Sequence, residues 1–166
     1  MLLVVLFAGF VTSVAWAASM LPANVATHFN AMGVPDGWMS RSIHLATISA
    51  FGVLFPGFLI GVCWSVRFMP TSLVNIPHRE YWLSSEHRGE SARFLFRHSL
   101  WLGCLSLGFV TGLNVLIVIS NLSQPVHLPF VWGILTVGLF IGGVAVWVIL
   151  LYRRFRLPDS CALSSP

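Results

Sequence analysis

The chain has 166 residues, of which 57% are hydrophobic and only 8% are charged, and its formal net charge is +4. A soluble domain carries about 25% charged residues, so this composition excludes a water-soluble protein with an ordinary polar surface. No basic stripe or nucleic-acid-binding module is present, so nucleic acid is not an expected partner.

Four apolar segments follow one another along the chain, and each is long enough to cross a bilayer, which takes roughly 20 apolar residues. None has Asp, Glu, Lys or Arg in its interior. Backbone polar groups in lipid must be paired within the segment, so each segment is predicted to be an α-helix. The predicted fold class is an all-α polytopic transmembrane bundle, one membrane domain over residues 1–166. Its spans are residues 2–20, 43–66, 99–120 and 129–152.

The first span has a second interpretation. Residues 13–18 read SVAWAA, a small-residue pattern typical of a signal-peptide cleavage site. No Lys or Arg precedes Arg41, so the positive region that begins a signal peptide is missing. A retained helix is the favoured interpretation. Cleavage would leave three spans and would place His28 near a free N-terminus.

Residues 21–42 form the predicted outer loop, between spans one and two. Pro35, Asp36 and Gly37 match a turn pattern, which predicts an ordered turn with Asp36 bonded to the backbone. Gly33 can serve a second turn. Residues 40–42 can cap the second helix. The loop mixes aromatic and polar side chains, as binding hot spots do. The candidate binding residues are His28, Asn30, Asp36 and Trp38.

Residues 67–98 form the predicted inner loop, and its last part is predicted to continue as helix into the third span. Tyr81 and Trp82 suit the headgroup level. Within the third span, Asn114 is predicted to be an interhelical hydrogen-bond partner, because such bonds commonly join membrane helices. Arg88, Arg93 and Arg97 are predicted to contact anionic lipid headgroups at the membrane surface.

The distribution of arginine predicts the orientation of the bundle. All nine basic residues are Arg, and only Arg41 lies in a predicted outer loop. The other eight lie in the inner loop or in the tail at residues 153–166. Basic residues favour the cytoplasmic side, so both termini are predicted to be cytoplasmic. The expected location is a bacterial plasma membrane, with multiple spans.

Few residues suggest chemistry. His28, Asp36 and His127, with His44, could form a metal or acid–base site on the outer face, because imidazole and carboxylate suit Zn²⁺. The sequence has no metal-binding spacing, so the favoured interpretation is that His28 and Asp36 bond the loop backbone. The three cysteines are expected to be reduced and without a catalytic role. No catalytic residue, metal or cofactor is predicted. The three cysteines are Cys63, Cys104 and Cys161.

The outer loop resembles the signature of SdpI-related bacterial membrane proteins, of the type named domain of unknown function 1648. Residues 75–83, which read NIPHREYWL, are similar to a second stretch of the short relatives. The resemblance extends to about residue 100, while the fuller relatives have additional spans. The residues that carry the first motif are Leu21, Pro22, His28, Phe29, Asn30, Gly33, Pro35, Asp36, Gly37 and Trp38.

The resemblance implies a short, four-span member of a group whose known activity is immunity. Such a protein protects the producing cell from a secreted toxin peptide and can recruit a repressor to the membrane. The sequence thus predicts an envelope membrane protein of the partner-binding, immunity or signalling type, not an enzyme. Its expected partners are membrane lipid and either a peptide, such as a toxin, at the outer loop or a regulatory protein at the inner loop. The alternative is a metal-dependent membrane enzyme that uses the His and Asp residues of the outer loops.

Overall fold

The computed structural model describes residues 1–157, which contain five α-helices and a two-stranded β-hairpin. Residues 158–166 of the predicted tail, with Cys161, lie outside the described residues. In chain order the elements are α1 (Leu2–Met20), β1 (Asn24–Phe29), β2 (Pro35–Ser40), α2 (Arg41–Ser65), a 3-10 turn (Thr71–Leu73), α3 (Arg79–Trp82), α4 (Arg88–Leu122) and α5 (Phe130–Arg154).

Four of these helices, α1, α2, α4 and α5, are long and apolar enough to cross a membrane. The predicted helical bundle is therefore confirmed, and its span limits agree with the helix ends to within two residues at all but one place. The exception is the start of α4 at Arg88, where the inner loop continues into the span as one helix, as predicted. The Ser40 hydroxyl caps α2 by accepting the Ile43 N–H at 3.3 Å.

The central helix of the bundle is α4, against which α1, α2 and α5 all pack. Small residues permit this close packing. For example, a Cβ on Gly103 would lie 2.9 Å from Cδ1 of Ile60 in α2, and one on Gly143 of α5 would lie 2.8 Å from Cδ1 of Leu105. In contrast, α5 has no buried residue within the described chain, so most of its surface is left for lipid.

The loop between α1 and α2 contains the antiparallel hairpin of β1 and β2, which we call the hairpin (residues 24–40). Val25 lies opposite Met39, and Ala26 lies opposite Trp38. The register then shifts twice, which leaves Thr27 of β1 and Asp36 of β2 without a partner in the ladder. Such bulges increase the local twist of the strands and redirect side chains.

The predicted turn at Pro35 to Gly37 is wrong, because these residues form the start of β2. The chain reverses earlier. The Asn30 Oδ1 accepts the N–H groups of Met32 at 2.9 Å and Val34 at 3.1 Å, and Gly33 has a φ of 76°. An Asx-type bond and a left-handed glycine thus form the turn, which confirms the turn expected at Gly33.

A small hydrophobic core lies at the end of the bundle opposite the hairpin, where the loop after α2 meets the end of α5. Trp82 packs there with Val66, Ile76 and Leu95, and its indole N–H donates to the Phe155 carbonyl at 3.1 Å. Trp82 is therefore buried among protein side chains, while the predicted headgroup level of Tyr81 and Trp82 stays a prediction. The sequence pattern missed this because an aromatic residue suits both places.

Candidate functional site

The hairpin is held to the bundle by side chains from distant parts of the chain. The Asn121 side chain, near the end of α4, bonds both backbone groups of Ala26. Its Oδ1 accepts the Ala26 N–H at 2.8 Å, and its Nδ2 donates to the Ala26 carbonyl at 2.8 Å. At the base, the Arg41 guanidinium donates to the Leu21 carbonyl at 3.0 Å. One edge of the hairpin is therefore closed by an amide that takes the place of a neighbouring strand.

The tip of the hairpin is bound to the loop between α4 and α5. The Leu128 N–H donates to the Gly33 carbonyl at 2.9 Å, and His127 Nε2 donates to the Met32 carbonyl at 2.9 Å. A Cβ on Gly33 would lie only 2.7 Å from His127 Cε1. The two loops thus form one ordered cap over this end of the bundle.

Of the predicted binding residues, three project from the hairpin and one shapes it. His28 Nδ1 and Asp36 Oδ1 lie 2.6 Å apart and form an exposed hydrogen bond. Asp36 therefore bonds another side chain, and the prediction that it bonds the backbone is wrong. Trp38 is 51% exposed. The Asn30 side-chain oxygen accepts the hydrogen bonds that form the turn. Ligand contact by Asn30 stays a prediction, and it would involve the amide nitrogen of the side chain.

The predicted role of Asn114 is confirmed, because its side chain joins three helices. Asn114 Nδ2 donates to Ser13 Oγ of α1 at 3.1 Å. Its Oδ1 lies 3.2 Å from His44 Nε2 of α2. His44 is 5% exposed, so it belongs to this buried cluster and not to the outer surface, where the sequence had placed it.

The structure does not gather the candidate metal ligands. His28 pairs with Asp36, His127 bonds a backbone carbonyl, and His44 is buried in the bundle. No group of three or more His, Cys, Asp or Glu side chains within residues 1–157 is arranged to hold a metal ion. The sequence supplied suitable residue types, but folding does not converge them on one point, although His28 and His44 line the same groove.

A lateral groove of about 880 Å³ lies beneath the hairpin, and we call it the groove. It is bounded by α2, α4 and α5, with the hairpin at its end. Its volume falls in the range of roughly 300–1,000 Å³ that ligand-binding pockets have, and such pockets also lie between helices of bundles. Its walls are largely aliphatic, with the polar groups near the hairpin. Residues that define it include Thr27, His44, Thr47, Leu113, Ile134 and Gly138.

The three arginines predicted for the membrane surface differ in their surroundings. The Arg88 guanidinium donates to the Val66 carbonyl at 3.0 Å and also to the Met69 carbonyl, so it ties the start of α4 to the end of α2. Arg93 and Arg97 are exposed on α4. Contact of these arginines with headgroups stays a prediction.

Sequence reasoning missed Asn121, Thr27 and Thr47. A signal for Asn121 was present, because it lies seven residues after Asn114 in an otherwise apolar helix and so shares its face. The threonines had no such signal. Threonine is common in both strands and membrane helices, and only the fold brings these two into one groove.

Comparison with known proteins gives one similarity. Residues 4–53 match the model of a family described as a domain of unknown function (DUF1648). No curated protein and no solved structure matches the chain. The matched segment comprises α1, the hairpin and the first half of α2, whereas residues 75–83 of the resemblance lie outside it. This chain therefore contains a segment of the DUF1648 type, joined to further helices that are able to span a membrane.

Proposed function

We propose that this chain is a partner-binding membrane protein of the cell envelope whose hairpin is the recognition surface. It lies in a bacterial plasma membrane with both termini in the cytoplasm, so that the hairpin faces outward. The role is binding of the immunity or signalling type, as in SdpI-related proteins, and not catalysis. The partner at the hairpin is a peptide, such as a secreted toxin, whereas a regulatory protein would bind at the inner loop, residues 67–98.

The observation that carries this proposal is that the hairpin is held rigidly yet exposes recognition side chains. Its edge, base and tip are each fixed by hydrogen bonds from other elements. A surface that is already ordered loses little conformational freedom on binding, which favours affinity. Trp38 is exposed and lies two residues after Asp36 on β2, and Asp36 bonds His28. Tryptophan is among the residue types enriched in binding hot spots.

A photo-crosslinking experiment tests the proposal. p-Benzoylphenylalanine replaces Met32 at the hairpin tip, which is 75% exposed, or Leu73 at the other end of the bundle, which is 65% exposed and serves as a matched control. Irradiation of intact source cells should give a discrete peptide or protein adduct from position 32 only. Adding Trp38→Ala should reduce that adduct about tenfold or more, the loss typical of a hot spot.

Two outcomes would count against recognition at the hairpin. One is that position 32 yields only lipid adducts. The other is that Trp38→Ala, at unchanged expression, leaves the adduct yield as it was. In either case the hairpin is a structural cap.

A further inference from the structure

The groove is open to the side and closed at its hairpin end. Helices α2 and α5 pack on different sides of α4, and within the described chain they have no substantial contact with each other. Along α5 the groove runs from Phe130 to Gly138, about 12 Å at 1.5 Å per residue. This is less than half of the roughly 30 Å hydrocarbon core. A ligand of one leaflet can enter from the bilayer, whereas a spanning helix would be far longer than the site.

His44 gives the groove a hydrogen-bond acceptor. Since Asn114 Nδ2 donates to Ser13, the Oδ1 atom must accept, and His44 Nε2 therefore carries the proton of their bond. In the neutral ring, Nδ1 then carries a lone pair that is free to accept a hydrogen bond. Within residues 1–157, Nδ1 has no hydrogen-bond partner. Every side-chain nitrogen or oxygen atom that is fully buried there does have one, so Nδ1 cannot be fully buried. Nδ1 of this 95%-buried residue therefore reaches the surface of the groove, which His44 lines.

Two threonines add to this polar end. Thr47 lies one turn after His44 on α2, and Thr27 is the bulged residue of β1 above it. Neither hydroxyl forms a hydrogen bond within the described part of the chain, and both residues line the groove. No Arg, Lys, Asp or Glu contributes to the lining, whose titratable side chains are His28, bonded to Asp36, and His44. No lining residue therefore carries a fixed charge that would balance a charged head.

We propose that the groove binds a neutral, single-tailed membrane lipid with a hydroxylated head, of the monoacylglycerol class. A head hydroxyl donates to His44 Nδ1, the threonine hydroxyls bond the remaining head oxygens, and the tail lies along the aliphatic walls. This site lies beneath the hairpin and goes beyond the proposed function. Of the proposed recognition residues, only His28 borders this site.

The test uses the full chain in phosphatidylcholine nanodiscs with two probes. One is a monoacylglycerol that has a photoreactive diazirine in its acyl chain. The other is a lysophosphatidylcholine with the same chain, which has a larger zwitterionic head. Mass spectrometry should locate monoacylglycerol labelling in the groove. This labelling should saturate as the probe concentration rises, and unlabelled monoacylglycerol should reduce it. The lysophosphatidylcholine should label the surface of the bundle without saturation.

Variants separate the head contacts from the tail site. Thr47→Val and His44→Leu should each raise the half-saturating concentration about fivefold to tenfold, the loss expected for one hydrogen bond. Gly138→Leu fills open space within the groove and should abolish saturable labelling. Gly142→Leu is the matched control, because it also enters open space on α5 but outside the lining.

His44→Leu also removes a bond to Asn114, so its thermal stability must be compared with that of the wild type. If this variant does not fold, Thr47→Val and Gly138→Leu decide the matter. Labelling that never saturates, or that Gly138→Leu leaves unchanged, would overturn the proposal and leave only ordinary boundary lipid. Crosslinking from Met32 is measured separately, so either proposal can fail while the other holds.

Discussion

Substitution of Gly33 by alanine tests how the hairpin is held. At a φ of 76° an L-residue costs roughly 1–2 kcal/mol more than glycine. The new Cβ would lie 2.7 Å from His127 Cε1 and 2.8 Å from the Leu128 oxygen, so the tip must move away from the second loop. That movement breaks the bonds from Leu128 to Gly33 and from His127 to Met32, each worth about 1 kcal/mol. We expect the hairpin to lose about 3–4 kcal/mol of local stability.

Hydrogen-exchange mass spectrometry of the protein in nanodiscs measures this loss directly. Each 1.4 kcal/mol is a factor of ten, so amides of β1 and β2 should exchange at least about a hundredfold faster in Gly33→Ala. Those of α4 should not change. Gly57→Ala is the control, because its Cβ enters open space on α2 and should leave the hairpin unaffected. Equal protection of the hairpin in Gly33→Ala and the wild type would refute the reasoning.

Three further predictions concern the same architecture. Asn121→Leu removes both bonds to Ala26 and should lower the free energy of unfolding by about 1–3 kcal/mol, because a backbone N–H loses its partner. Hydrogen exchange at the Ala26 amide should become faster, and unchanged exchange there would show that Asn121 does not hold the hairpin to α4. Asn114→Val should destabilise the bundle by about 0.6–2 kcal/mol, seen as a lower unfolding midpoint, and an unchanged midpoint would show that the cluster adds nothing. In a cysteine-free background, Met32→Cys should react with an impermeant thiol reagent added to intact cells and Ser85→Cys should not, whereas the opposite pattern would reverse the proposed orientation.

The sequence alone was sufficient to predict the four long helices. A segment with about 20 apolar residues has few alternatives to a helix in lipid, because its backbone groups must be paired locally. The ends of α1 and α5 follow from where apolar residues give way to Pro22, to Pro129 and to Arg153. The buried role of Asn114 also followed, since a polar amide in an apolar helix needs a partner on a neighbouring helix.

The sequence indicated two turns in the loop, at Gly33 and at Pro35 to Gly37, and only the first forms. Pro35, Asp36 and Gly37 have the local chemistry of a turn, yet Asn30 and Gly33 have it as well. The choice between them depends on the second loop. His127 and Leu128, nearly a hundred residues away, bond the backbone at Met32 and Gly33. Such nonlocal bonds leave no trace in local composition.

Only the tertiary structure decided which polar side chains share a site. The four candidate metal ligands looked equivalent in the sequence. The fold places His28 and Asp36 in an exposed hydrogen bond, His44 in a buried cluster and His127 in a contact between the two loops. The groove likewise depends on α5 packing on α4 apart from α2. Apolar periodicity cannot determine this, because a lipid-facing surface and a helix-facing surface are equally apolar, and packing of small residues chooses between them.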